Sequence, residues 1–118
     1  MKPFVVRSKI WLETNGHPFL GEGRYRLLKA VERKGSINAA AKDMGVSYRK
    51  AWAQLQAMEE AAPFPLLIRT VGGKDGGSSR LTPEIKHLMG QFEQLRERIN
   101  YETGRCFMEC FNENERRS

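Results

Sequence analysis

Two histidines and two cysteines are the only side chains among 118 residues with ordinary pKa values near neutrality. His17 and His87 lie outside any nucleophile or metal-ligand motif, and no glycine loop leads from a strand into a helix to cradle a phosphate. No enzyme activity and no cofactor are therefore expected. Cys106 and Cys110 are so close in sequence that a bridge would close a trivial loop, so free thiols are the default. No apolar run approaches the roughly 20 residues of a spanning helix, and Met1 to Ser8 lacks the apolar core of a signal peptide. A cytoplasmic protein without membrane contact is the expectation. The length suits one domain with a short extension and leaves no room for a second, ligand-binding domain.

What is present is positive charge in one place. Residues 24–50 carry eight basic and two acidic side chains, equal to the whole formal net charge of +6. A positive field confined to such a stretch suits a phosphate backbone, because each neutralised phosphate releases condensed counterions. A solvated basic face reads equally well from charge alone.

Val6, Ser8, Ile10 and Leu12 alternate with Arg7, Lys9, Trp11 and Glu13, the period of a strand covered on one face. Asn15-Gly16 then suits a type I′ turn, so a β-ribbon returning through His17 to Leu20 is expected. From Gly23 the period becomes helical through Leu27, Leu28 and Val31, and Gly35 stops it. Ser36 stands at an N-cap position before a buried stripe of Ile37, Ala40, Ala41 and Met44 that ends at Gly45. Ser47 opens a third helix with Ala51, Leu55, Met58 and Ala62 inward, closed by Pro63. Two short strands around the glycine-rich loop 72–79 read as a wing. Thr82-Pro83 caps a last helix in which Ile85, Leu88, Phe92, Leu95 and Ile99 step by three and four, the spacing of a two-helix seam. The fold expected is mainly α with small β elements: a winged helix-turn-helix with an N-terminal β-ribbon and a C-terminal dimerisation helix. Residues 1–100 form this domain, including dimerisation helix 83–100, and 101–118 form a polar tail without a clear period.

Two short capped helices joined through Gly45 carry the functional reading. Small residues at Ala39, Ala40, Ala41 and Ala51 allow the close, steep packing of a helix-turn-helix, against the alternative of an ordinary helical hairpin. The first turn of the third helix, Ser47-Tyr48-Arg49-Lys50, should then enter the major groove. Arg49 can pair with guanine O6 and N7, Lys50 can do so as a point charge, and Gln54 could pair with adenine. Ser47 and Tyr48 suit phosphates, although Tyr48 packed in the core or solvated is an equal alternative. Ser36 and Asn38 at the start of the second helix, and Thr70, Lys74, Ser78 and Arg80 on the wing, complete the DNA-facing set. A glycine-rich tip can also be merely mobile. Trp52 is expected to pack against the β-ribbon. Five large apolar residues on an added helix favour a homodimer on a two-fold symmetric operator over core packing.

The run from Ser36 to Trp52, the Gly-Gly-Lys-Asp-Gly-Gly loop and Leu81-Thr82-Pro83 resemble the DNA-binding domain of molybdate-responsive regulators, the ModE family. Ile10-Trp11-Leu12-Glu13 and Gly21-Glu22-Gly23-Arg24 are similar to that family's opening ribbon and first helix. Ala40-Ala41, Met44, Ser47, Leu55, Met58-Glu59 and Leu81-Thr82 fall at spacings like those of LysR-type domains, a more distant likeness. The resemblance implies a bacterial transcriptional regulator binding double-stranded DNA as a homodimer, with the helix from Ser47 as reader. Full-length molybdate regulators continue into oxyanion-binding domains. About two dozen residues follow Leu95 here, so molybdate binding within this chain is not expected. The chain is a stand-alone version, a fragment, or the partner of a separate sensor protein.

Two rivals remain on the sequence. Cys106 and Cys110 at i, i+4 could share a helix face and serve a thiol-based metal or redox sensor, a dimer supplying four sulfurs. Winged helices can also bind proteins, although a basic reading turn argues for DNA.

Overall fold

Capping residues and apolar periodicity set the element order in the computed structural model, which describes residues 4–70 and 77–117, with side chains as far as residue 111. The elements are β1 (Leu12–Thr14), β2 (His17–Leu20), α1 (Glu22–Lys34), α2 (Ile37–Met44), α3 (Tyr48–Ala61), β3 (Leu67–Thr70), β4 (Ser78–Leu81) and α4 (Pro83–Arg117). The chain divides into two compact units, Trp11–Met89 and a second made of Met1–Ile10 with Gly90–Ser118.

In the first unit Asn15 and Gly16 both take positive φ, 53° and 78°, as a type I′ turn demands. The hairpin pairs Thr14 with His17 and slips register between Leu12 and Glu13. Ser36 Oγ accepts the Ala39 N–H and Ser47 Oγ the Lys50 N–H, each at 3.1 Å, so both expected N-caps form. Gly45 closes α2 in the left-handed conformation, φ 71°, and a Cβ there would meet nothing within 4 Å. Glycine is needed for the backbone angle at this bend, not for room. Leu20, Leu28, Val31, Ala40, Ala41, Ala51, Leu55, Met58, Leu66 and Ile85 form the buried core of this unit.

The wing is antiparallel, with Leu67 opposite Leu81 and Thr70 opposite Ser78. Its base is tied down at two points: the Ser79 N–H donates to the Gly35 carbonyl and the Thr82 N–H to the Leu66 carbonyl, both at 2.9 Å. Thr82 Oγ1 donates to the Pro65 carbonyl at 2.7 Å and accepts the Ile85 N–H at 3.3 Å, capping α4 as expected.

In the second unit the Ser8 hydroxyl donates to Asn100 Oδ1 at 2.7 Å. The Phe107 and Phe111 rings stack at 4.4 Å, and Phe4 lies 6.4 Å from Phe111. The Arg96 guanidinium sits 5.5 Å over the Phe92 ring.

Three expectations need correction. The alternation from Val6 to Leu12 does not make a strand; β1 begins at Leu12, because β2 offers only four residues and, among the described residues, no further strand lies opposite. Residues 101–117 are not an irregular tail but the continuation of α4, supported by Arg105 with Glu102 and Glu109 one turn to either side and by the Phe107–Phe111 stack. The expected boundary at residue 100 therefore falls inside a helix. Finally, Ile85 and Phe92 are not free for a seam, since one chain already buries them together with Met89, at i, i+4, i+7. Of the five expected seam residues, Leu95 and Ile99 stay exposed at 42% and 36%, and Leu88 is half-buried.

Candidate nucleic-acid interface

The first turn of α3 carries the chemistry. Ser47, Tyr48, Arg49 and Lys50 are all exposed. The turn holds two cations and no acidic residue, at the helix end where the summed peptide dipoles are positive. Placing cations there costs stability, typically about 0.3–1 kcal/mol each. The cost is rational where an external anion faces the turn, because free amide N–H groups and cations then act together.

The basic excess of residues 24–50 separates accordingly. Arg33 pairs with Asp43, and Lys34 lies 3.8 Å from the same carboxylate. Lys29 lies 3.6 Å from Glu32, which also meets Lys86 at 3.9 Å. Among the described residues Arg49 and Lys50 have no carboxylate partner, so their charge is available outward.

Helical spacing assigns three faces to α3. Arg49 and Ala53, one turn apart, stand nearly opposite the buried stripe of Ala51, Leu55 and Met58 and point furthest from the core. Lys50 and Gln54 turn toward α1, lining a cleft of about 260 Å³ with Arg24, Leu27 and Met44. Tyr48 and Trp52 turn toward the wing, lining a groove of about 380 Å³ with Ser36, Asn38, Thr70, Ser78 and Ser79.

This placement adds a role to Gln54 and changes the expectation for Trp52. Gln54 Oε1 accepts the Arg24 Nε–H at 2.7 Å, while Arg24 Nη1 donates to the Pro18 and Phe19 carbonyls at 3.1 Å each. Gln54 thus braces α3 through Arg24, while its oxygen keeps a second lone pair and its NH2 group both donors. Trp52, expected against the β-ribbon, is 40% exposed and faces the wing side. Its indole lies one turn from Tyr48, which is 50% exposed and not in the core.

The remaining wing residues are distributed unevenly. Thr70 and Ser78 meet Ser36 and Asn38 across the groove, whereas exposed Arg80 is not part of its lining. Lys74 lies outside the described residues. Arg69 Nη2 lies 3.3 Å from Glu59 Oε1, tying β3 to the last turns of α3. Sequence reasoning missed the burial of Ser79 and the bracing role of Arg24. The period-two step from Ser79 to Leu81 was the available signal for an inward serine.

An exposed cationic helix start, set between a capped helix pair and a two-stranded wing, defines a winged helix-turn-helix protein. Residues 23–84 match the family described as bacterial regulatory helix-turn-helix protein, lysR family, and the chain belongs to that family. It is a ModE-like member: it is 36% identical to the molybdenum transport protein ModE of Azotobacter vinelandii over 108 residues, 82% of this chain and 40% of that one. With the transcriptional regulator ModE of Haemophilus influenzae it shares 46% identity over 77 residues, 65% of this chain and 30% of the relative. The chain thus spans less than half the length of these curated relatives. The fold is also that of the CbnR DNA-binding domain solved in complex with DNA, with a TM-score of 0.56 at 24% identity, covering 75% of this chain and 95% of that one.

Among the described residues no helix is long and apolar enough to cross a membrane, and no group of three or more His, Cys, Asp or Glu could hold a metal ion. Cys106 and Cys110 are free and exposed one turn apart on α4, and nothing in the matched relatives speaks for a thiol sensor.

Proposed function

We propose that this protein is a sequence-specific transcriptional regulator, acting in the bacterial cytoplasm without catalytic activity, that binds a palindromic operator in double-stranded DNA as a homodimer. The observation that carries the reading is the pair of carboxylate-free cations, Arg49 and Lys50, on the exposed first turn of α3. Arg49 is the principal base reader, Lys50 adds charge toward guanine or phosphate, and Ser36, Asn38, Ser47, Tyr48, Thr70, Ser78 and Arg80 position the duplex. Exposed Leu95 and Ile99 on α4 supply apolar surface for a second copy. The reading is supported by the regulator named among the relatives and by the DNA-bound CbnR domain of the same fold.

Selection of bound fragments from genomic DNA, followed by anisotropy titration, tests this. The expected motif is palindromic and affinity falls steeply with salt. Arg49→Ala should relax preference at one base pair per half-site by about 1–3 kcal/mol. Failure to enrich a motif, or an unaltered motif with Arg49→Ala, would refute the assignment.

A further inference from the structure

The cleft on the α1 side of α3 combines two chemistries. Buried Leu27 and Ala51, with half-buried Met44 and Val46, give it apolar walls. Its polar lining is Arg24, Lys50 and Gln54, all donors and two of them cations. Among the described residues no carboxylate lines it.

Arg24 is half-buried, and its three hydrogen bonds run to neutral acceptors: Gln54 Oε1 and the Pro18 and Phe19 carbonyls. These hold the guanidinium in place but leave its charge uncancelled. Neither Arg24 nor Lys50 has a carboxylate partner among the described residues. A positive charge partly withdrawn from water and left without a counter-charge is unfavourable, so an anion from outside is welcome there. An inorganic anion or a backbone phosphate would meet the cations and leave the apolar walls wet. A molecule with an anionic group and an apolar body uses both. The cleft, at about 260 Å³, is smaller than the about 300–1,000 Å³ of sites for drug-sized ligands, which limits that body to about one ring. The Met44 thioether, adaptable in shape and attracted to ring edges, suits an aromatic one.

We propose that this cleft is a regulatory site for a small aromatic carboxylate, and, resting on the DNA-binding reading above, that its occupant competes with the operator. The ring packs among Leu27, Met44, Val46 and Ala51. The carboxylate accepts from the Arg24 guanidinium, the Lys50 ammonium and the Gln54 NH2 group. Lys50 belongs to the outward-facing first turn of α3, and its charge cannot serve the carboxylate and the duplex together. Ligand and operator therefore weaken each other by the same factor.

Benzoate is the probe, titrated into the full chain and followed by amide NMR shifts, with benzyl alcohol and inorganic phosphate as its uncharged and ring-free counterparts. Saturable shifts should gather at Gly23, Val46 and Ala51. Benzyl alcohol should bind about tenfold more weakly, and phosphate should not reproduce the pattern. Gly23 lines the cleft from the first turn of α1, where a Cβ meets nothing within 4 Å. Gly23→Leu should therefore occupy the cleft and abolish the shifts, while its thermal midpoint stays level or rises, leucine being the better helix former. With benzoate at ten times its dissociation constant, and sodium chloride matching the ionic strength of the control, operator affinity should fall about tenfold. Gly23→Leu should lose that response. Shifts that never saturate, equal binding of benzyl alcohol, or the same shifts with phosphate would overturn the site. Operator affinity unmoved by saturating benzoate would overturn the competition. Operator binding without benzoate binding sinks the cleft proposal alone, whereas saturable benzoate binding by a chain that binds no duplex sinks the DNA-binding reading instead.

Discussion

Lys50→Glu should stabilise the fold while destroying its affinity for DNA. Lys50 is the third residue of α3 and donates its N–H to the Ser47 hydroxyl. A glutamate there completes a Ser-x-x-Glu capping box, its carboxylate reaching back to the Ser47 N–H. The change also replaces a cation with an anion at the positive end of the peptide dipoles, a gain of about 0.3–1 kcal/mol at low ionic strength. Together the effects amount to about 1 kcal/mol, or about 2–6 °C in thermal midpoint for a domain of this size. The gain should shrink in 1 M salt, which screens the dipole term but leaves the capping hydrogen bond. Operator affinity should fall about 100-fold at moderate salt and the salt slope should flatten, since a phosphate-facing cation has become a repelling charge. Paired melting curves and anisotropy titrations at two salt concentrations measure both. A lowered midpoint, or retained affinity, would show that Lys50 serves the fold and not a ligand.

Gly45→Ala should cost about 0.5–1.5 kcal/mol, the left-handed strain of an L residue less the entropy removed from the unfolded chain, because no atom obstructs a Cβ; a much larger loss in urea unfolding would mean that crowding governs the bend. Phe92→Ala should destabilise by about 3–5 kcal/mol, having emptied a buried site. Leu95→Glu should leave each subunit folded but shift sedimentation toward monomer, and a dimer that persists would move the interface elsewhere. Arg24→Ala should cost about 1–3 kcal/mol by orphaning three acceptors, and it should blunt operator preference more than the salt slope, as read from titrations on matched and mismatched duplexes.

Local signals proved legible, and those that depend on a distant partner did not. Ser36, Ser47 and Thr82 declare their helices within four residues, and Asn15-Gly16 and Gly45 declare their backbone angles alone. The strand alternation of Val6 to Ile10 was equally clear but lacked a strand opposite. Trp52 and Gln54 show the same limit: the helical wheel gives their direction, yet whether wing or ribbon lies there, and whether an arginine waits, is decided by residues 30 positions away for Gln54. Ile85 and Phe92 fitted a seam by spacing, but Met89 completes a second stripe through them that the core claims first.

The two arginine braces on α3 have a practical consequence. Arg24 grips Gln54 and Arg69 grips Glu59, both downstream of the residues facing outward at 48–50. The helix is thus clamped along its shank while its tip carries none of the clamping load. New operator preferences should be obtainable by randomising the tip alone, leaving the angle of approach to the duplex as it is.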